Sequence, residues 1–494
     1  MKLPLQKSPQ PPFTKGGLRC SPIRLGLDRP PFAQGGEGRF RLVEMVDTYF
    51  QSHYIPNTPQ EQAEMLAALG LTSIDELFQD IPAQFRNPSL DLPPPMSELE
   101  IQQELGRMAA RNRPLGSGPS FLGAGSYHHF IPAIVKALMT RGEFITAYTP
   151  YQPEASQGTL QVIYEFQTLI SNLYGMEVAN AGMYDGATSL AEGVLMACRV
   201  TRRSQAVVSD TVSPAYLNVI RTYCQPQGIE IVGARHWDPQ VTGQTACLVV
   251  QYPNFYGYIE DMPAMAAAAH GQGALLVLSA DPTAMALFQS PGHYGADIVT
   301  GEGQPLGIPT SFGGPYLGLF TAKQEYIRQM PSRLVGRTVD RLGRTGYVLT
   351  LQTREQHIRR ERATSNICTN EALFALAATI YLAALGKQGL RQVAELCYHK
   401  AHYAASRIAQ LPGYSLPFQR GDFFQEFVVQ CPAPPAEINR RLLERNILGG
   451  LDLSGPPYRP LLPPAVDRGM LLCVTEMNSR ADIDALVEGL GRVA

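Results

Sequence analysis

Between residues 180 and 330, short β-branched runs alternate with stretches long enough to be helices, and this alternation restricts the fold more than any other feature of the chain. Residues 206–208, 229–232, 247–251, 275–278 and 297–299 are mostly apolar, β-branched runs and read as buried strands. The intervening stretches 187–199, 213–226, 260–272 and 281–288 each have the length of a crossover helix. A tight hairpin cannot join parallel strands, so strands separated by helices imply a parallel sheet covered on both sides. Ligands of such sheets bind beyond the carboxyl ends of the strands.

The flanks differ from this centre. Residues 45–115 read as a helical arm. Thr58-Pro59-Gln60-Glu61 is a capping box with proline at the first helical position, and Ser73–Glu76 and Ser97–Glu100 repeat the start signal. Residues 116–370 form the large α/β domain. A smaller α/β domain follows over 371–494, with helices at 371–387, 389–410, 435–446 and 480–491 and strands at 424–430 and 470–474. Residues 1–44 stand apart: they carry a net charge of +5 within a chain of net charge −2. They also repeat themselves, Pro11-Pro12-Phe13-Thr14-Lys15-Gly16-Gly17 returning as Pro30-Pro31-Phe32-Ala33-Gln34-Gly35-Gly36. They are expected to be disordered, and Met45 is read as the natural start.

With 45% hydrophobic and 17% charged residues, the 494-residue chain has globular composition, and nothing in its charge favours nucleic acid. No uncharged apolar run of about 18 residues suggests a membrane span. The eight cysteines are scattered without CxxC or Cys/His ligand spacing, which argues against a structural metal or a disulfide framework and for a cytoplasmic location.

Three segments concentrate polar chemistry. Residues 121–158 hold Tyr127, His128, His129, Tyr148, Tyr151, Gln152 and Glu154 in an aromatic, Gly/Pro-punctuated stretch. Such density of donors and acceptors suits a binding surface, or else a wet loop before a helix starting near Pro153. The adjacent histidines do not share a helix face and make a poor bidentate metal site; one exposed and one hydrogen-bonded core histidine is the plainer reading. Residues 297–319 run from a strand into a glycine-rich loop, where Ser311, Gly313 and Gly314 could offer backbone N–H groups to a phosphate or simply form a turn. Residues 359–371, RRERATSNICTNE, read as an anion contact or a helix N-cap.

The stretches FLGAGSYHHFIP, TAYTPYQPEASQGTLQ, NAGMYDGATSLAEG, GADIVTGEGQPLGIPTSFGGPYLG and RERATSNICT resemble the glycine cleavage system P-protein, specifically subunit 1 of forms split over two chains. The resemblance runs from Met45 onward. It implies the fold type I architecture of pyridoxal-phosphate (PLP) transferases, with a large, mostly parallel mixed sheet and a small C-terminal α/β domain. It implies an enzyme that decarboxylates glycine on PLP and passes the aminomethyl group to the lipoyl arm of H-protein. It also implies a catalytic partner, subunit 2, in an α2β2 heterotetramer.

A PLP Schiff base needs a lysine. Where the family's PLP-binding chains carry it, this sequence has Gln304-Pro305. The only lysines after residue 44 are Lys136, Lys323, Lys387 and Lys400. Ser279 occupies roughly the place of the aspartate expected opposite the pyridine nitrogen, with Asp281 two residues away, and Asp210 stands where a ring-stacking histidine is expected. By this resemblance PLP is bound covalently by the partner and not by this chain. Tyr127, His128, His129, Tyr148, Tyr151, Gln152 and Glu154 would line the partner's site, and Ser311, Gly313 and Gly314 would approach the partner's PLP phosphate. The competing reading, a self-sufficient PLP-dependent amino-acid decarboxylase, would need a Schiff-base lysine in this chain.

Overall fold

A computed structural model describes residues 57–492 except 87, 146–148, 368–369, 419–421 and 459–465. Residues 1–44 and Tyr148 therefore lie outside the described residues. The chain divides into two compact units, one ending at Gln103 and the other running from Glu104 to Ala494.

In the first unit the expected capping box is formed: Glu61 N–H donates to the Thr58 hydroxyl, and the Glu61 carboxylate accepts from Thr58 N–H, at the head of the helix Pro59–Ala68. Ser73 and Glu76 do the same for a short 3-10 turn at Ile74–Phe78. None of the described residues from 57 to 103 is buried, although Leu69, Phe85, Leu92 and Leu99 are among them.

The second unit is built on a seven-stranded sheet. Its strands are β1 (Val178–Ala179), β2 (Gln205–Ser209), β3 (Glu230–Ala234), β4 (Thr245–Tyr252), β5 (Leu275–Ala280), β6 (Ile298–Glu302) and β7 (Gly318–Ala322), in the order β1-β7-β6-β5-β4-β2-β3. The pairings among β2 to β6 are parallel, and β7 runs antiparallel to both β6 and β1. Alternate strand residues serve opposite faces. Leu248, Val250, Leu276, Leu278 and Val299 pack with Phe166 and Ile170 of the helix Gln157–Tyr174. Cys247, Val249, Leu275, Val277 and Ile298 pack with Leu190 and Val194 of the helix Gly186–Thr201. One expected crossover helix fails. Residues 281–288 form only a 3-10 turn at Ala284–Ala286, because the Asp281 side chain folds back onto the N–H groups of Thr283 and Ala284.

A hairpin of β8 (Leu334–Val339) and β9 (Thr345–Thr350) follows. The small sheet comprises β10 (Glu426–Gln430), β11 (Leu451–Asp452) and β12 (Gly469–Cys473), antiparallel in the order β10-β12-β11. The helix Ala372–Ile408 joins the two sheets. Its first part packs under the large sheet through Ala375 to Leu382, and its last turns pack on the small sheet through Ala401, Ala405 and Ile408. The two helices expected here meet at Gly386, whose φ of +62° interrupts the helical path. Among the described residues this is the one helix long and apolar enough to cross a membrane, although no uncharged run of that length stands out in the sequence; its packing here is that of a core helix.

Candidate functional site

The parallel strands end in a crevice, as the topology requires. Gln251 closes β4, Ser279 and Asp281 close β5, and Glu302 closes β6; the small sheet covers the opening with Gln425 and Glu426. The space it leaves, partly open to solvent, is about 50 Å³. Among the described residues, no lysine, arginine or histidine lines it.

Three carboxyl groups define its chemistry. Glu302 sits at the N-terminus of the helix Gly186–Thr201, where unpaired N–H groups and the helix dipole attract anions. Its Oε2 accepts from Gly186 N–H at 2.9 Å, and its Oε1 accepts from Gln304 N–H at 2.9 Å and Leu317 N–H at 3.2 Å. Burial pushes this carboxyl up to about 8, with the three N–H groups pulling the other way. A Cβ on Gly186 would lie 2.6 Å from the Tyr216 hydroxyl and 3.0 Å from Glu302 Cβ, so only glycine lets the helix start this close to the carboxylate. Glu426 accepts from Ala124 N–H at 2.6 Å and from the Tyr127 hydroxyl at 2.8 Å, and burial pushes it up to about 7. Asp281, also raised by burial, accepts from the Gln425 amide at 3.1 Å. The remaining acceptor of that amide, Gln425 Oε1, is buried without a hydrogen-bond partner.

The expected site residues fall into separate groups. Tyr127 is buried against this chain's own crevice, and burial together with Glu426 raises its hydroxyl. Gln304 clamps the same segment: its amide accepts from Tyr127 N–H and donates to the carbonyls of Tyr127 and Ile308, at 2.8, 2.9 and 2.8 Å. Pro305 lines the crevice beside it. His129 is also buried, with Nδ1 2.7 Å from Glu476. Cys397 Sγ lies 3.4 Å from the same carboxylate, and these three side chains are near enough to share a metal ion. His128 opens instead to a second cavity beside Ser120 and Thr475, and burial lowers its pKa.

The other groups lie outward. Tyr151 is half exposed; Arg333 donates to its hydroxyl at 3.3 Å and stacks over its ring. Gln152 and Glu154 are exposed and bonded to each other at 2.8 Å. The Ser311–Gly314 loop runs through four consecutive positive φ values and leaves the Phe312 ring fully exposed. Gly313 and Gly314 edge a shallow cavity beside the crevice, with Tyr316 and Asp185.

The lysines keep away from the crevice. Lys136 and Lys387 are exposed. Lys400 donates to the Glu476 carbonyl. Lys323 pairs with Asp297, just before the opposite, amino end of β6. Ser279 lines the crevice as expected, but Asp210 does not. It turns away to bond Arg235 and His236, because the chain after β2 carries Ser213 to the crevice instead. Sequence reasoning did not single out Glu302, Gln425 or Glu426. Glu426 had one signal, an acidic residue inside the apolar strand run FFQEFVVQ.

Residues 52–490 match the family model described as glycine cleavage system P-protein. A probable glycine dehydrogenase (decarboxylating) subunit 1 of Thermomicrobium roseum is 55% identical over 448 residues, covering 88% of this chain and 98% of the relative. The subunit 1 relative of Desulfitobacterium hafniense is 50% identical over 451 residues, covering 89% and 100%. Among solved structures, an inhibitor-bound glycine decarboxylase (P-protein) of the glycine cleavage system superposes with a TM-score of 0.82 at 44% identity, covering 90% of this chain and all of that one. A sphingosine-1-phosphate lyase of Burkholderia pseudomallei (TM-score 0.58, 16% identity, 83% and 94% covered) and a cysteine desulfurase of Escherichia coli (0.55, 16%, 76% and 94%) share the fold alone. The fold is thus the α/β, fold type I architecture of PLP-dependent transferases, and the chain belongs to the glycine cleavage system P-protein family.

Proposed function

We propose that the chain is subunit 1 of a glycine dehydrogenase (decarboxylating), and that it completes the active site of a PLP-bearing subunit 2 without holding PLP itself. The observation that carries this reading is Glu302. A cofactor phosphate seated at the start of the helix Gly186–Thr201 would compete with Glu302, which already takes the Gly186 N–H there together with the N–H groups of Gln304 and Leu317. Removing Glu302 from that seat would leave three backbone donors open, and no described lysine reaches the crevice. The residues of this pocket therefore do not fit PLP, which opposes a self-sufficient decarboxylase.

The complex decarboxylates glycine and passes the aminomethyl group to lipoylated H-protein, in the cytoplasm of a bacterium. Tyr151, Gln152, Glu154 and the Ser311–Gly314 loop, with Gly313 and Gly314 toward the partner's PLP phosphate, are the groups free to reach a neighbouring chain. His128 stands at a cavity mouth and can join them. Tyr127 and His129 are committed inside this chain and act by positioning that segment. The arm of residues 57–103, which leaves Leu69, Phe85, Leu92 and Leu99 exposed, supports an α2β2 assembly in which a partner covers these side chains.

The test is reconstitution. The chain alone should show no visible PLP chromophore and no borohydride-trapped adduct, and glycine decarboxylation should appear only with subunit 2 and lipoylated H-protein. A trapped adduct on the isolated chain refutes the reading.

A further inference from the structure

His129, Cys397 and Glu476 come from three separate segments: the stretch before the helix Ala133–Met139, the long helix Ala372–Ile408, and the turn after β12. Among the described residues theirs is the one group of three metal-ligating side chains whose ligand atoms all lie within 4.8 Å of one another. We propose that these three side chains bind a divalent cation of the zinc type, which staples the three segments together.

The donor set is one that such an ion takes: an imidazole nitrogen, a thiolate sulfur and a carboxylate oxygen. His129 Nδ1 and Cys397 Sγ converge on the same oxygen of Glu476, at 2.7 and 3.4 Å. In a tetrahedral site with bonds of ~2.0–2.3 Å, neighbouring ligand atoms stand roughly 3.3–3.8 Å apart. The sulfur–oxygen separation already has that value, and the imidazole needs to withdraw by only about 0.6 Å to reach it. The ion takes the place of protons. Binding displaces the Cys397 thiol proton and the proton on Nδ1 that faces Glu476. One thiolate and one carboxylate then balance the two positive charges, so no net charge is buried. The other carboxylate oxygen of Glu476 accepts from Phe130 N–H at 2.7 Å, which holds the ligand in orientation. Lys400 bonds the Glu476 main-chain carbonyl and leaves the carboxylate to the ion. A cavity of about 260 Å³ supplies the way in for the ion and its remaining water: it is lined by Thr475 and Met477, on either side of Glu476, and by His128, next to His129. The ligand positions are 347 and 79 residues apart, which is why no metal-binding spacing shows in the sequence.

The experiment titrates cobalt(II) chloride, a coloured substitute for zinc, into the full chain after treatment with a chelator and a phosphine reductant. One equivalent should give a thiolate-to-cobalt charge-transfer band, and zinc chloride should remove the band by displacement and raise Tm. Cys397→Ser should lose the band. Glu476→Gln, which keeps the side-chain shape, should weaken cobalt binding at least about tenfold. No band from the parent chain in excess cobalt, a band that persists in Cys397→Ser, or undiminished affinity in Glu476→Gln overturns the proposal. The readout needs neither PLP nor subunit 2, so it stands apart from the test by reconstitution.

Discussion

Replacing Glu426 by glutamine isolates the cost of a buried carboxylate in this crevice. The two side chains have the same shape. The amide oxygen can still accept from Ala124 N–H, and the amide nitrogen can donate to the Tyr127 hydroxyl oxygen, so the packing need not change. What changes is titration. Burial lifts the Glu426 carboxyl from its ordinary 4.5 to about 7. The folded state therefore binds more protons than the unfolded state between those pH values, and stability falls as pH rises through that window. The difference corresponds to about 3 kcal/mol at about 1.4 kcal/mol per pH unit. Urea unfolding of both proteins from about pH 5 to pH 8 should show the variant gaining up to that amount on the parent, then levelling off above pH 7. Groups that do not interact with Glu426 are common to both proteins and cancel. A gap that stays constant with pH, or a parent that gains on the variant, would refute the argument.

Three other outcomes are expected. Gly257→Ala should cost more than about 4 kcal/mol in chemical denaturation, because φ is +91° and the new Cβ would lie 1.9 Å from the Glu426 carbonyl oxygen; a loss under about 1 kcal/mol would contradict the close approach. Asp297→Asn should cost about 3 kcal/mol, since Asp297 is buried and holds Lys323, His270 and Leu276 N–H together. Tyr151→Phe, which removes the hydroxyl that Arg333 bonds, should lower glycine decarboxylation in the reconstituted complex without preventing assembly, and an unchanged rate takes Tyr151 out of the site.

The elements of the second unit were legible because their patterns are local. The alternation of 206–208, 247–251 and 275–278 with helical stretches specified a parallel sheet, and five of its strands lie within three residues of their expected places. The stretch 281–288 misled because Asp281 satisfies local N–H groups through its side chain, an alternative to helix that composition does not announce. The departures at Gln304-Pro305 and Ser279 were visible as residue identities. Glu302, Glu426 and Gln425 were not, because their meaning arises from contacts across 116 residues between Glu302 and Gly186, and across 302 between Glu426 and Ala124. Asp210 was assigned to the crevice from its place after β2, and only the path of the chain to Ser213 shows that it faces elsewhere.

The seat occupied by Glu302 also bears on evolutionary history. A chain that stops using an anionic ligand is left with buried donors, and a carboxylate from its own sequence closes that gap. Once the gap is closed, a lysine introduced at position 304 or 305 would give no benefit while Glu302 remains. Losing Glu302 first would uncover three N–H groups and weaken the fold. On the proposed reading each single step back is unfavourable, so the change would behave as a ratchet, with a division of labour between two chains held in place by the physics of one hydrogen-bonded side chain.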